Sequence, residues 1–164
     1  MNRTVRVFVA LMLCAIASGN VGAQQMIYVV RHGEKLDDSK DPPLSLTGEV
    51  RAAKLAQMLA ASGVKTIYTT QYRRTSQLAA PLASALSLTA IVHPAGDTPG
   101  LLKKITAHGA NDNVLVVGHS NTVPAILNGL GHVGEVKIEE TDFDNLFVVV
   151  PKHRGAPALV RLKY

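Results

Sequence analysis

The sequence predicts an α/β fold: a single three-layer α/β/α domain around a mostly parallel sheet. Three observations carry this. Strand-like stretches such as "MIYVV" and "VLVV" are apolar throughout rather than alternating, as strands covered on both faces are. They alternate with helix-like segments, the pattern of parallel crossover units. In addition, ionisable residues collect just after the carboxyl ends of those strands, where open α/β sheets bind ligands.

The first 23 residues stand apart. Arg3 and Arg6 precede an apolar run from Val7 to Ala17, and Val21-Gly22-Ala23 ends in small residues. This is the layout of a secretory signal peptide. The apolar run falls short of the roughly 20 residues that span a bilayer. Cys14, the sole cysteine, lies inside it, and Met12-Leu13 are not the small residues a lipidation site needs. Cleavage after Ala23 leaves one domain, residues 24–164, with no disulfide, in a periplasmic or secreted setting. Without Arg3 and Arg6, 15 of the 17 basic residues remain against 12 acidic ones, a net charge of +3. That mild surplus suits small anions. Basic runs are short and aromatic residues scarce, so nucleic acid is not an expected partner. No stable membrane insertion is expected once the leader is removed.

The first strand is expected at Met26 to Val30, followed by a Pro- and Asp-rich loop from Asp37 to Pro43. Thr47 is placed as the N-cap of the first helix and Gly63 at its C′ position. The second strand covers Val64 to Thr69. An Ala- and Leu-rich helix from Arg74 to Leu86 follows, bent or interrupted at Pro81. The third strand is Leu88 to Val92. Thr98 as N-cap and Pro99 at N1 open a helix ending at Gly109. Strand four, Val114 to Val117, leads through Gly118-His119-Ser120 into a helix from Thr122 to Leu130. Phe147 to Val150 and Ala158 to Leu162 form a closing hairpin.

The strand ends deliver Arg31, His32 and Glu34; then Thr69, Thr70, Arg73 and Arg74; then His93 and Asp97; then Gly118, His119, Ser120 and Asn121. Arginines and histidines converging on one point make an anion site, because the guanidinium fork matches phosphate oxygens and helix amino termini add N–H donors. Arginine cations nearby would keep an imidazole neutral by repulsion. A neutral imidazole nitrogen facing phosphorus is a nucleophile. Of the remaining histidines, His93, His108, His132 and His153 show no ligand spacing and are expected on the surface. Asp142 and Asp144 read as turn residues, in a loop that could border the pocket.

"VVRHGE" (residues 29–34) and "VVGHS" (residues 116–120) resemble the two signature segments of the histidine phosphatase superfamily, which has a phosphoglycerate mutase-like fold. Between them, "YTTQYRRTSQLAAPLA" resembles the segment carrying the second phosphate-binding arginine. The register puts Arg74 there, with Arg73 a solvated neighbour. The resemblance implies that His32 is the nucleophile that becomes phosphorylated and that Arg31, Arg74 and His119 hold the phosphate. It implies a proton donor after the third strand, where Asp97 is the nearest carboxylate and Glu34 the second. Gly33 would let the backbone approach the phosphate, with Glu34, Ser120 and Asn121 facing substrate. The short span from Arg74 to His119 leaves little room for the capping insertion of mutases, which favours hydrolysis.

The expected activity is therefore a metal-independent phosphomonoester hydrolase with no cofactor. It would act on a small phosphorylated molecule, such as a sugar phosphate, lipid headgroup or nucleotide, and release inorganic phosphate. The alternative is a phosphate- or phosphosugar-binding protein of the same fold with little or no turnover.

Overall fold

The computed structural model describes residues 24–164; the expected leader lies outside them. The chain runs β1 (Ile27–Arg31), α1 (Leu46–Leu59), β2 (Val64–Thr69), α2 (Arg73–Ala85), β3 (Ile91–Val92), α3 (Thr98–Thr106), β4 (Asn113–Gly118), α4 (Thr122–Gly129), β5 (Asn145–Val150) and β6 (Ala158–Lys163). The strands form one sheet in the order β3-β2-β4-β1-β5-β6. The first four are parallel to one another; β5 and β6 close the far edge antiparallel.

Residue alternation along the central strands builds the three layers. Tyr28, Val30, Leu115 and Val117 point to one face, against Leu55 and Leu59 of α1 and Leu78 and Leu82 of α2. Ile27, Val29, Val114 and Val116 point to the other, against Leu101 and Ile105 of α3 and Val123, Ile126 and Leu127 of α4. Burial on both faces explains why the interiors of β1 and β4 are apolar, with Arg31 closing β1 and Asn113 opening β4.

Several boundaries differ from the sequence expectation. Ser45, not Thr47, caps α1: it is extended (φ −73°, ψ 171°) after Pro42 and Pro43, and its side chain accepts from Gly48 N. Asp97, not Thr98, caps α3, accepting from Gly100 N at 2.9 Å. That helix ends at Thr106 rather than Gly109. Helix α1 stops at Leu59, and Gly63 serves instead as the positive-φ residue (+71°) that turns the chain into β2. Helix α2 continues through Pro81 without interruption. Strand β3 shrinks to two exposed edge residues.

Candidate active site

β1 and β4 are parallel neighbours, with Arg31 opposite Gly118 and His32 N donating to Gly118 O at 2.9 Å. One register therefore sets His32 beside His119, with ring centroids 5.2 Å apart. Strand β2, on the other side of β4, ends at Thr69 and leads through Thr70 into α2, whose second residue is Arg74. The three strand tips border an open cleft of about 380 Å³, lined by Arg31, His32, Arg74, His119, Ser120 and Asn121 among others.

His32 is buried, and its Nδ1 lies 2.7 Å from the Gly33 carbonyl oxygen. A carbonyl only accepts, so Nδ1 carries the proton and Nε2 keeps a free lone pair. Burial lowers the pKa of this imidazole from 6.5 to about 3, with His119, Arg74 and Arg31 adding repulsion against the Gly33 bond. The sequence argument named arginine repulsion as the cause; desolvation is the larger one.

His119 is likewise lowered to about 4, first by burial, then by Arg74 and Arg31. Its Nδ1 accepts from Arg74 Nη2 at 3.4 Å, so Nε2 carries the proton and donates to Thr70 Oγ1 at 3.0 Å. Thr70 Oγ1 is held in turn by Thr75 Oγ1 at 3.0 Å. The Arg74 guanidinium stacks over the Tyr72 ring at 4.4 Å. Its Nε and Nη1 are buried without a hydrogen-bond partner, and its nearest counter-charge, Asp41, stands 3.9 Å from Nη1. Buried donors left unpaired at a cleft wall call for an anion.

Arg31 is almost entirely buried. Its Nη1 donates to the backbone carbonyls of Glu139 and Glu140 at 2.7 and 3.0 Å, and its Nη2 to Glu140 Oε2 at 3.1 Å. The guanidinium lies 4.2 Å above the Phe143 ring, and its Nε has no partner. Sequence reasoning named Asp142 and Asp144 in this loop but missed Glu140, which lines the cleft. It also missed Thr70 as the partner of His119, and Tyr72. No periodicity marks these residues; only the tertiary course of the loop brings Glu140 to Arg31.

The remaining expected site residues divide. Ser120 and Asn121 line the cleft at the start of α4, and Asn121 makes no capping bond that would occupy its side chain. Asp97 does not line it. Its carboxylate caps α3 and stands 3.3 Å from His93 Nε2, beside a separate apolar cavity. Glu34 also lies off the cleft, gripped by Arg51 through Oε1 at 2.5 Å and Oε2 at 2.9 Å. A Cβ at Gly33 would meet Gly48 Cα at 3.2 Å, so this glycine admits the start of α1 rather than a phosphate. His93, expected on the surface, is buried. Among the described residues no group of three His, Cys, Asp or Glu is placed to hold a metal, and no helix is long and apolar enough to cross a membrane.

A cation-lined cleft at the carboxyl ends of a mostly parallel sheet, with a neutral histidine on its floor, is set in an α/β protein of the phosphoglycerate mutase-like fold. Residues 27–95 match the family model of the histidine phosphatase superfamily (branch 1). No curated protein matches the sequence. Solved structures do. The protein histidine phosphatase SixA complexed with tungstate is 20% identical, with a TM-score of 0.69 over 85% of this chain and 97% of that one. A phosphoserine phosphatase from Entamoeba histolytica in complex with 3-phosphoglyceric acid is 14% identical, with a TM-score of 0.65 over 85% and 97%. The mycobacterial glucosyl-3-phosphoglycerate phosphatase is 14% identical, with a TM-score of 0.65 over 85% and 98%. At these identities the likeness is one of fold.

Proposed function

We propose that the protein is a phosphomonoester hydrolase that works through a phosphohistidine at His32. The observation that carries this reading is the His32 Nδ1–H bond to Gly33 O, which leaves Nε2 unprotonated beside the unpaired donors of Arg74. A phosphate in the cleft takes those donors, and on Arg31 it takes Nη2 in place of the Glu140 carboxylate, while the helix amino terminus at Ser120 and Asn121 adds N–H groups. The His32 lone pair forms a bond to phosphorus as the ester P–O bond breaks. Water then attacks phosphorus, the N–P bond breaks, and inorganic phosphate leaves. As Arg74 turns to the anion it releases His119 Nδ1, which accepts a hydrogen bond from a protonated phosphate oxygen and helps to orient the group.

The structural relatives are described as acting on phosphohistidine, phosphoserine and a glucosyl phosphoglycerate. The open cleft here has room for a substrate well beyond phosphate itself. Together with the reading of residues 1–23 as an export leader, which is itself a proposal, this leads us to assign a small phosphorylated metabolite outside the cytoplasm as the substrate class. The test is release of phosphate from a chromogenic aryl phosphate by the wild-type protein and by His32→Ala. Turnover in the first and none in the second supports the reading. Tight phosphate binding with no turnover in the wild type supports the binding-protein alternative, which the commitment of Asp97 and Glu34 to other partners favours.

A further inference from the structure

Cleavage of an alkyl phosphate needs a proton for the departing oxygen. Both carboxylates expected from the sequence are spent elsewhere, Asp97 on the α3 cap and Glu34 on Arg51. The carboxylate that lines the cleft is Glu140. Its backbone is anchored, since the carbonyls of Glu139 and Glu140 both accept from Arg31 Nη1. Its side chain is 85% exposed and touches the site through one contact, Oε2 on Arg31 Nη2. Arg31 thus fixes the loop with one arm and parks the carboxylate on the other.

That second arm is where a phosphate oxygen binds once substrate enters. A phosphate arriving on Arg31 and Arg74 displaces the carboxylate by rotation of the Glu140 side chain, with the loop staying in place. His32 is on the buried floor and Glu140 on the exposed rim. In-line attack from the floor sends the leaving group toward the rim.

We propose that Glu140 is the proton donor of this site, an inference that rests on the hydrolase reading above. In the first step His32 Nε2 bonds to phosphorus, the P–O bond breaks with its electron pair going to the leaving oxygen, and the Glu140 carboxyl gives that oxygen its proton. In the second, the Glu140 carboxylate takes a proton from water as the water oxygen bonds to phosphorus. The N–P bond then breaks and its pair returns to His32. The sum is ester plus water to alcohol plus phosphate.

The test is Glu140→Gln assayed in single turnover with two esters: 2,4-dinitrophenyl phosphate, whose leaving group needs no proton, and an alkyl phosphate, whose leaving group does. The expected result is a loss of about 100-fold or more in phosphoryl transfer from the alkyl ester, in the range general acids supply, with the dinitrophenyl burst within about threefold of wild type. Equal slowing on both esters would make Glu140 a brace for Arg31 and overturn the proposal, as would no slowing on either. Absence of any burst in the wild type would overturn the hydrolase reading itself. A full burst in the wild type that disappears in His32→Ala keeps the two questions separate.

Discussion

The chemistry at residue scale rests on one neutral imidazole. Burial puts the His32 pKa at about 3, so this imidazole is already deprotonated across the physiological range. The rate profile of kcat/KM should therefore show no limb near pH 6.5 from this group; a limb there that disappears with His32 would contradict burial as the controlling effect. Stability has the matching sign. The folded pKa lies below the unfolded one, so the unfolded chain binds more protons between about pH 6.5 and 3, and the fold loses stability as pH falls through that window. For His32 alone the loss from neutrality to pH 4.5 is at most ~2–3 kcal/mol. In denaturant titrations His32→Gln should flatten that acid-side decline. Arg74→Ala should weaken tungstate or phosphate binding at least tenfold, because the fork supplies the unpaired donors Nε and Nη1. Unchanged affinity, by calorimetry, would remove Arg74 from the anion site.

Elements position these residues through close approaches. Gly48, in the first turn of α1, sits so near the chain after β1 that a Cβ would lie 2.5 Å from Glu34 O and 3.1 Å from Leu44 Cβ. Gly48→Ala should thus cost roughly 1–3 kcal/mol by overpacking, read as a lower denaturation midpoint; no change would mean that α1 slides freely. The Glu34–Arg51 pair fastens the same junction to the carbonyl of Tyr164 at the chain end. Glu34→Gln should lower stability by about 1 kcal/mol, given its partial exposure, yet leave phosphorylation of His32 intact. Loss of labelling instead would return Glu34 to the reaction. Elements were legible in sequence where periodicity and chemistry agreed. The apolar runs of β1 and β4 and the turn to α4 belong to this group. The caps Ser45 and Asp97 were missed because a neighbouring Thr also offers a hydroxyl, and only backbone geometry chooses between them. The edge strand β3 is shorter than its apolar run because only Ile91 and Val92 pair with β2, while Leu88 and Ala90 pack against the core without pairing.

For the whole molecule, sheet order turns distant sequence into one site. Strands β2, β4 and β1 lie side by side, so Arg74, His119 and His32 meet although some 90 residues separate the outermost pair. The resemblance of three short segments foretold this convergence. Glu140 escaped it, because its place depends on how the loop before β5 folds over Arg31, a contact of Arg31 with a segment more than 100 residues away. The leader reading predicts that the protein exported by its host begins at Gln24, which intact-mass measurement would check; a mature chain retaining residues 1–23 would contradict export by cleavage. The central claim meets its most direct test in rapid quench of the protein with a phosphate-labelled ester, followed by peptide mapping. The account predicts an acid-labile phosphoryl group on His32, formed within one turnover and absent from His32→Ala. Turnover with the label on another residue, or with none on the protein at all, would contradict it.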